Sequence, residues 1–398
     1  MDDRKLPAQY LDRYSDATSR LQAADLPKTL ANPAVLVPSK SPEEERPKAA
    51  WYDWRQWSLR NPRSWSLRKQ LVVASTVVVI IIVVVVGAYE GVKANRYPDY
   101  RPLDYKLVDI YGGISFFDQF DYFSGEDPTN GHVVYVNEQA ALDLNLTHAT
   151  DTSAILRVDS STPNAVGGRN SVRIESKKAY DQGLFIFDIL HTPYGCGTWP
   201  ALWLVDGYNW PNNGEIDILE TTNEGSRGNA VTLHTTDGCK MDVKRKQTGS
   251  ALYKDCGNTT HSNAGCSVEG DPSTYGREFN QRGGGVYALE LRAEGVRAWF
   301  FPREEIPADI SSAGSSPNPS NWGTALADFP NTNCDISSHF RNQSIIANID
   351  LCGDLAAQPQ YYEKMYNCPA TCPEFVSNNP SQFEDAYWEF RSFKVYQP

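Results

Sequence analysis

The chain has 398 residues, of which 40% are hydrophobic, 12% aromatic and 22% charged, with a formal net charge of −12. This composition excludes wholesale disorder, and the acidic total argues against a nucleic-acid partner, which would need a basic surface. The charge is unevenly divided, because residues 1–70 carry 13 Lys/Arg and 9 Asp/Glu whereas residues 71–398 carry 24 and 40. The sequence therefore changes character near residue 70.

The N-terminal region predicts a tail followed by an interfacial segment. Residues 1–50 are rich in Asp, Lys, Pro, Ser and Ala and poor in aromatic residues, which is typical of a disordered cytoplasmic tail. Residues 51–70 interleave four tryptophans with four arginines: Trp51, Trp54, Trp57 and Trp65 with Arg55, Arg60, Arg63 and Arg68. This juxtamembrane pattern predicts indoles at headgroup depth and arginines on anionic lipid, and it is also compatible with a short local helix.

A transmembrane helix is predicted over Leu71–Tyr89, which is 19 residues long and uncharged. At about 1.5 Å per residue it reaches roughly 28 Å, which is about one hydrocarbon core. A cleaved signal peptide is the alternative, but its apolar region is normally shorter and nearer the N-terminus. More Lys and Arg flank the start of the segment than its end, so the positive-inside rule favours a single-pass type II topology.

Cysteines and glycosylation signals support that topology. All eight cysteines follow the apolar segment, as do Asn-x-Ser/Thr sequons at Asn145, Asn258 and Asn342. Both features suit a luminal or extracellular compartment of the secretory pathway or the cell surface. Four disulfides are possible with 105 connectivities, and the spacing does not favour a zinc site. The cysteines are Cys196, Cys239, Cys256, Cys266, Cys334, Cys352, Cys368 and Cys372.

Residues 90–104 are interpreted as a linker, and residues 105–398 as one all-β domain. The latter contain many short β-like segments separated by clusters of Gly, Pro, Asn and Asp, without a long helical period, which predicts a sandwich or barrel. The predicted strands include His132–Val136, Ser171–Glu175, Leu184–Ile189, Val286–Arg292, Val296–Phe301, Ser344–Leu351 and Tyr387–Tyr396.

One predicted strand carries three acids, Glu215, Asp217 and Glu220, in the stretch Asn-Asn-Gly-Glu-Ile-Asp-Ile-Leu-Glu. Glu215 and Asp217 share a face in a regular strand, whereas Glu220 would face the apolar side. A one-residue β-bulge between Asp217 and Glu220 would bring the third acid onto the same face, and bulges occur beside active sites. The pattern therefore predicts a bulged strand with three clustered carboxyls.

Three crowded carboxyls repel one another, so a strand selected only for folding should avoid them. Retaining glycoside hydrolysis needs two close carboxyls, one to attack the anomeric carbon and one to act as acid and then base. A third can hold the nucleophile and set the proton distribution. A solvated acidic edge strand or a cation site is the structural alternative.

Neighbouring residues favour the sugar interpretation. Trp199, Trp203 and Trp210 precede the acids, and flat aromatic rings suit the apolar faces of sugars. Core packing is an equally good explanation for Trp199, whereas Trp210 is followed by a loop sequence. His234 lies on the next predicted strand, which could bring it to the carboxyls, although a single His is more often structural or exposed.

The segment GCGTWPALWLVDGYNWPNNGEIDILE resembles the catalytic region of glycoside hydrolase family 16, of the fungal endo-1,3(4)-β-glucanase or laminarinase type. Other segments resemble this family too, so the resemblance covers essentially all of residues 105–398. They are FFDQFDYFSGEDPTNGHVVYV, SVRIESKKAYDQGLF, TLHTTDGC, VRAWFFPREEIPADI, IIANIDLCGD and AYWEFRSFKVY.

The resemblance implies a concanavalin A-like β-jelly-roll with a concave substrate cleft. It implies that Glu215 is the nucleophile, Glu220 the acid/base and Asp217 their assistant. Matching positions that would line the cleft are Trp203, Trp210, Arg173 and His234. Leu355 stands directly after Cys-Gly-Asp, where many relatives have Trp. One stacking surface is therefore expected to be missing or supplied elsewhere.

We therefore predict a membrane-anchored hydrolase of cell-wall glucan that cleaves internal β-1,3 or mixed β-1,3/1,4 linkages with retention. β-Glucan and the membrane are the expected partners, and a monomer without cofactor or metal is expected. A glucan transglycosylase or wall-assembly factor using the same site is the first alternative, since a membrane anchor is unusual for a degradative enzyme. A glucan-binding module without catalysis is the second.

Overall fold

A computed structural model describes residues 65–311 and 316–398. Helix α1, Leu67–Asn95, contains the predicted apolar segment and extends it at both ends. Within the described residues, the span Leu67–Val92 is the one helix long and apolar enough to cross a membrane, judged by length and composition, with mean hydropathy 3.2. Among the described residues, those up to Val92 and those from Lys93 onward fall into separate compact units. The predicted tail over 1–50 and most of the juxtamembrane segment over 51–70 lie outside the described residues.

The larger unit contains two eight-stranded sheets, which we call sheet I and sheet II. Sheet I has the order β16–β15–β14–β8–β18–β5–β4, with β1 paired to β18. Every pair in it is antiparallel. Its strands are β1 Lys106–Gly112, β4 Thr147–Ala149, β5 Ala154–Arg157, β8 Gly183–His191, β14 Gly285–Arg292, β15 Gly295–Pro302, β16 Ala327–Pro330 and β18 Tyr387–Gln397.

Sheet II has the order β12–β13–β11–β10–β9–β17–β7–β2 and is also antiparallel throughout. Its strands are β2 Phe120–Tyr122, β7 Arg173–Tyr180, β9 Thr198–Val205, β10 Glu215–Glu220, β11 Ala230–His234, β12 Ser250–Ala251, β13 Cys266–Glu269 and β17 Gln343–Leu351. A small parallel pair consists of β3 Val133–Tyr135 and β6 Arg169–Ser171.

The main core combines inward side chains from the two sheets, as strand alternation predicts. Phe185 and Phe187 of β8 join Ile216 and Ile218 of β10 in one buried cluster. The intervening residues of β8, Leu184 and Ile186, lie in a second cluster. The all-β sandwich prediction is therefore confirmed, and each predicted strand coincides with at least one observed strand.

Short helices lie between the strands, and four disulfides connect segments of the domain. The helices are α2 Glu138–Asp143, α3 Gly276–Gln281, α4 Ala308–Ser311, α5 Ile336–His339, α6 Gly353–Ala356 and α7 Cys372–Asn378. All eight cysteines are paired, which selects one connectivity from the 105 that the sequence left open. The pairs are Cys196–Cys368, Cys239–Cys334, Cys256–Cys266 and Cys352–Cys372.

Residues 96–105, which we call the strap, pack against the domain, although most of them belong to the predicted linker. The hydroxyls of Tyr97 and Tyr100 donate to the buried carboxyl of Asp328 at 3.1 and 3.3 Å. Tyr105 is buried in the second cluster and donates to Glu290 at 2.9 Å. Arg297 lies over the Tyr100 ring. The folded domain thus begins several residues before 105.

Candidate active site

Strand β10 carries the three predicted acids, and its register contains the predicted bulge. Against β11, Asp217 pairs with Thr232 but Glu220 pairs with Ala230, so β10 has one residue more than its partner over this stretch. The register against β9 shifts between Asp217 and Leu219. Ile218 and Leu219 are both fully buried, and Glu220 therefore returns to the face of Asp217. The bulge prediction is confirmed.

The chain enters β10 through Gly214, whose φ of +70° is in the left-handed region that favours glycine. A Cβ at this position would collide with the carbonyl oxygen of His339 and the ring of Phe340. Glycine therefore lets the loop approach this neighbouring segment closely. Glu215, the next residue, begins the strand with its side chain on the site face.

Burial raises the pKa of all three carboxyls, and the charges of neighbouring acids add to this effect at Asp217 and Glu215. Asp217 is 2% exposed. Its burial, together with the charges of Glu220 and Glu215, raises its pKa well above the ordinary value. Burial likewise raises the pKa of Glu215, with a further contribution from the charge of Glu220. Burial also raises the pKa of Glu220. The cluster therefore releases its protons at higher pH than isolated carboxyls do, which suits acid/base chemistry.

His234 lies on β11 directly opposite Glu215, so the predicted neighbouring strand does bring it to the carboxyls. Its Nε2 is 3.3 Å from Asp217 Oδ2, and its Nδ1 is 3.2 Å from Asn263 Oδ1. Burial lowers the pKa of the imidazole, but the hydrogen bond that the ring donates to Asp217 and the charges of the carboxyls outweigh it and raise the pKa to about 9. His234 thus supplies a positive charge at the centre of the acidic cluster.

Each glutamate receives an indole hydrogen bond. Trp199 Nε1 donates to Glu220 Oε1 at 2.8 Å, and this bond lowers the carboxyl pKa against the effect of burial. The side chain of Trp210 is hydrogen-bonded to Glu215 with the same effect. From the sequence alone, core packing explained Trp199 equally well. Its hydrogen-bond partner Glu220 is 21 residues away, and the position of that carboxyl depends on the bulge.

Trp203 and Arg173 lie beside the acids on the same face of sheet II. Trp203 pairs with Asp217 across the strands, is 6% exposed and donates from Nε1 to Asn348 Oδ1 at 2.8 Å. The Arg173 guanidinium lies between the rings of Phe123 and Trp203, 4.8 and 5.0 Å from their centroids. Trp203 therefore supports Arg173 and offers little surface of its own, and the sequence did not single out Asn348 or Phe123. The contact of Trp203 and Arg173 with substrate stays a prediction.

The same region meets the distance requirement for a metal site. One ligand atom each of Glu215, Asp217 and His234 lies within 4.8 Å of the others. However, His234 Nε2 faces Asp217 directly, and the imidazole pKa of about 9 keeps the ring protonated at neutral pH. A protonated imidazole cannot bind a metal ion, so this set fits proton-transfer chemistry better than metal binding.

Comparison with known proteins agrees with the fold described above. The family model for the "XgeA-like, catalytic GH16 domain" matches residues 120–396. A Schizosaccharomyces pombe protein described as a "probable glycosidase" is 47% identical over 308 residues, covering 76% of this chain and 72% of that protein. An Aspergillus fumigatus protein described as a "probable endo-1,3(4)-beta-glucanase" is 40% identical over 305 residues, covering 74% of this chain and 45% of that protein. The chain thus spans under half of the Aspergillus protein.

Solved structures agree with these relatives. Laminarinase 16A of Phanerochaete chrysosporium, solved with β-glucans in donor and acceptor sites, is 45% identical with a TM-score of 0.72. An elongating family 16 β-1,3-glucosyltransferase is 39% identical with a TM-score of 0.69. Each is covered over 100% of its length by 74% of this chain.

Proposed function

The chain belongs to glycoside hydrolase family 16, and on this premise we propose that it cleaves internal β-1,3 or mixed β-1,3/1,4 linkages of glucan with retention. The observation that carries the proposal is the bulged strand β10, which gathers Glu215, Asp217 and Glu220 on one face. The substrate class is supported by the endo-1,3(4)-β-glucanase and laminarinase similarities.

We assign Glu215 as the nucleophile and Glu220 as the acid/base. Glu215 attacks the anomeric carbon while Glu220 protonates the departing glycosidic oxygen, and Glu220 then takes a proton from the water that releases the sugar. The raised pKa of Glu220 suits the first step, because it favours the protonated carboxyl. The bond from Trp199 suits the second, because it stabilises the carboxylate. Asp217 and His234 form an ion pair beside the two glutamates, and this pair influences which carboxyl carries a proton.

The test is digestion of laminarin and lichenan by the full chain beside Glu215→Gln. We expect the variant to lose more than about 1,000-fold in kcat, because the amide cannot form the covalent intermediate. Glu389→Gln is the matched control, since Glu389 lies on β18 of sheet I, and it should retain activity. Wild-type-like digestion by Glu215→Gln would contradict the mechanism.

Glucan transfer is the second candidate function, favoured by the 39% identity to an elongating β-1,3-glucosyltransferase. Transfer uses the same glycosyl-enzyme intermediate but a sugar acceptor in place of water. Product sizing separates the two functions, because chains longer than the supplied substrate arise only by transfer.

We further propose that α1 anchors the protein with type II topology and that the domain is luminal or extracellular. The mean hydropathy of 3.2 over Leu67–Val92 supports a membrane span. The four disulfides support an oxidising compartment. The domain division proposed with this topology is a tail over 1–50, a juxtamembrane segment over 51–70 and a catalytic domain that includes the strap.

A further inference from the structure

The bulge in β10 leaves backbone groups that a regular ladder would have paired. On the β11 side, the register passes from Asp217–Thr232 directly to Glu220–Ala230. The Ile218 carbonyl and the Glu220 N–H lie between these two pairs, and Ile218 is fully buried while Glu220 is half-buried. Buried backbone groups of this kind need hydrogen-bond partners, so another group must replace the missing ladder bonds.

The side chain of Asn229 provides both replacements. Its Nδ2 donates to the Ile218 carbonyl at 2.7 Å, and its Oδ1 accepts from the Glu220 N–H at 2.9 Å. Asn229 directly precedes β11 and is fully buried. One amide therefore fills the gap that the extra residue opens, and it contacts the backbone of Glu220 itself.

Asn229 is itself held in place by a second layer of bonds. Its backbone N–H donates to Thr274 Oγ1 at 2.8 Å, and its carbonyl accepts from the Gly270 N–H at 2.8 Å. The Thr274 hydroxyl in turn donates to the Asp271 carbonyl at 2.6 Å. The backbone of Asn229 is thus held by the loop after β13, and its side-chain amide reaches β10 from this fixed position.

We propose that Asn229 is a positioning residue for the acid/base, which fixes the bulge so that the Glu220 carboxyl reaches the glycosidic oxygen. The proposal rests on the proposed function, because it gives Glu220 that role. Asn229 contacts neither Glu215 nor the other cluster side chains through any bond of its amide. Its loss should therefore impair proton transfer more than nucleophilic attack.

The test uses two substrates whose leaving groups differ in their need for an acid. Phenyl β-laminaribioside has a leaving group that must be protonated, whereas 2,4-dinitrophenyl β-laminaribioside releases a stable phenolate without a proton. For Asn229→Ala in the full chain, we expect kcat/KM on the phenyl glycoside to fall about 100-fold. On the dinitrophenyl glycoside we expect a fall of less than about 10-fold. The ratio of the two values does not depend on how much of the preparation is folded.

Asn280→Ala is the matched control. The Asn280 amide also bridges one backbone unit, accepting from the Thr192 N–H at 2.8 Å and donating to the Thr192 carbonyl at 2.9 Å. It lies in α3, next to the end of β8 in sheet I, and makes no contact with β10. The substitution removes the same kinds of bond, so it should leave the substrate ratio at the wild-type value.

Azide gives a second readout on the same variant. Azide attacks the anomeric carbon of the glycosyl-enzyme without a general base: a carbon–nitrogen bond forms, and the Glu215 carboxylate leaves with the electron pair. We expect azide to increase turnover of the dinitrophenyl glycoside by Asn229→Ala several-fold and to yield a β-glycosyl azide. Wild type and Asn280→Ala should show no such increase.

The outcomes separate this inference from the proposed function. A wild type that cleaves neither glycoside contradicts the function. An active wild type with equal losses on both glycosides for Asn229→Ala, or no loss, overturns the role of Asn229. If Asn229→Ala yields no folded protein, Asn229→Asp replaces it, because it keeps the volume and the Oδ1 acceptor but puts an oxygen where Nδ2 donates to Ile218. Its substrate ratio should then shift at least about threefold in the same direction, and a wild-type ratio overturns the proposal.

Discussion

A fragment that begins at Lys106 lacks the strap, and we expect it to be far less stable than a fragment that begins at Arg96. The difference is ten residues, which the sequence assigned almost entirely to a linker. Three of them are tyrosines whose hydroxyls bond to carboxyls of the domain, through Tyr97 and Tyr100 to Asp328 and through Tyr105 to Glu290.

The size of the effect follows from these contacts. Removing a buried aromatic side chain costs about 3 to 5 kcal/mol, and Tyr105 is 1% exposed. The bonds of Tyr97 and Tyr100 to Asp328 add about 1 kcal/mol each. The sum, about 5 to 7 kcal/mol, is comparable with the whole stability of many domains. Without the strap, the Asp328 carboxyl still accepts from the backbone N–H of Lys246 at 2.6 Å. Its loss of the two tyrosine bonds therefore adds little more to the free-energy difference.

Urea unfolding of the two fragments with disulfides intact measures this difference. With a slope of about 3 kcal/mol per M, the midpoint of the Lys106 fragment should be about 2 M lower. The Arg96 fragment carrying Tyr105→Phe is the control, because it keeps the ring and leaves Glu290 paired with Arg297 at 2.5 Å. Midpoints within about 0.3 M of each other for the two fragments would refute the reasoning.

Two further predictions concern the acidic cluster and the topology. Asp217→Asn should stabilise the fold at pH 7 by about 1 to 2 kcal/mol while lowering activity. The raised pKa of Asp217 means that its penalty is absent below its ordinary value of 3.8 and grows as the pH rises toward the folded-state value. The advantage in melting temperature should therefore vanish near pH 4, and an equal advantage at both pH values would contradict this account. In a fungal host, glycopeptide mass spectrometry should find a glycan on Asn145, which is exposed, and none on Asn258, which is 6% exposed. An unmodified Asn145 would count against a luminal domain.

Much of the fold and the centre of the site followed from local patterns. Alternation places Glu215 and Asp217 on one face, and the position of Glu220 requires a bulge, which the register of β10 contains. His234 opposite Glu215 likewise follows from an adjacent antiparallel strand. These inferences succeeded because strand geometry has a period of two, so a departure from it can be located to within a residue or two.

The remainder depends on contacts between distant segments. Cys368 and Cys372 are close in sequence, yet each is bonded to a different partner, Cys196 and Cys352, which the sandwich brings near. Asn229 has no distinguishing pattern, since its amide acquires a role only when the bulge is present. The strap was missed because its tyrosines are interspersed with charged residues and prolines, and the surface they cover lies about 190 to 230 residues away.

The four disulfides lie at the ends of strands, whereas hydrogen bonds between strands hold the region that carries the three carboxyls. Each disulfide joins a residue at or near the end of a sheet II strand to a loop or to the start of α7. The strand-side residues are Cys196 before β9, Cys239 after β11, Cys266 at the start of β13 and Cys352 after β17. Strand β10, which carries the three carboxyls, is held by ladder hydrogen bonds to β9 and β11. The loops next to the ends of the sheet II strands are instead held by disulfides. We therefore expect changes in the length of those loops to alter which glucan fits while the proposed catalytic carboxyls keep their positions.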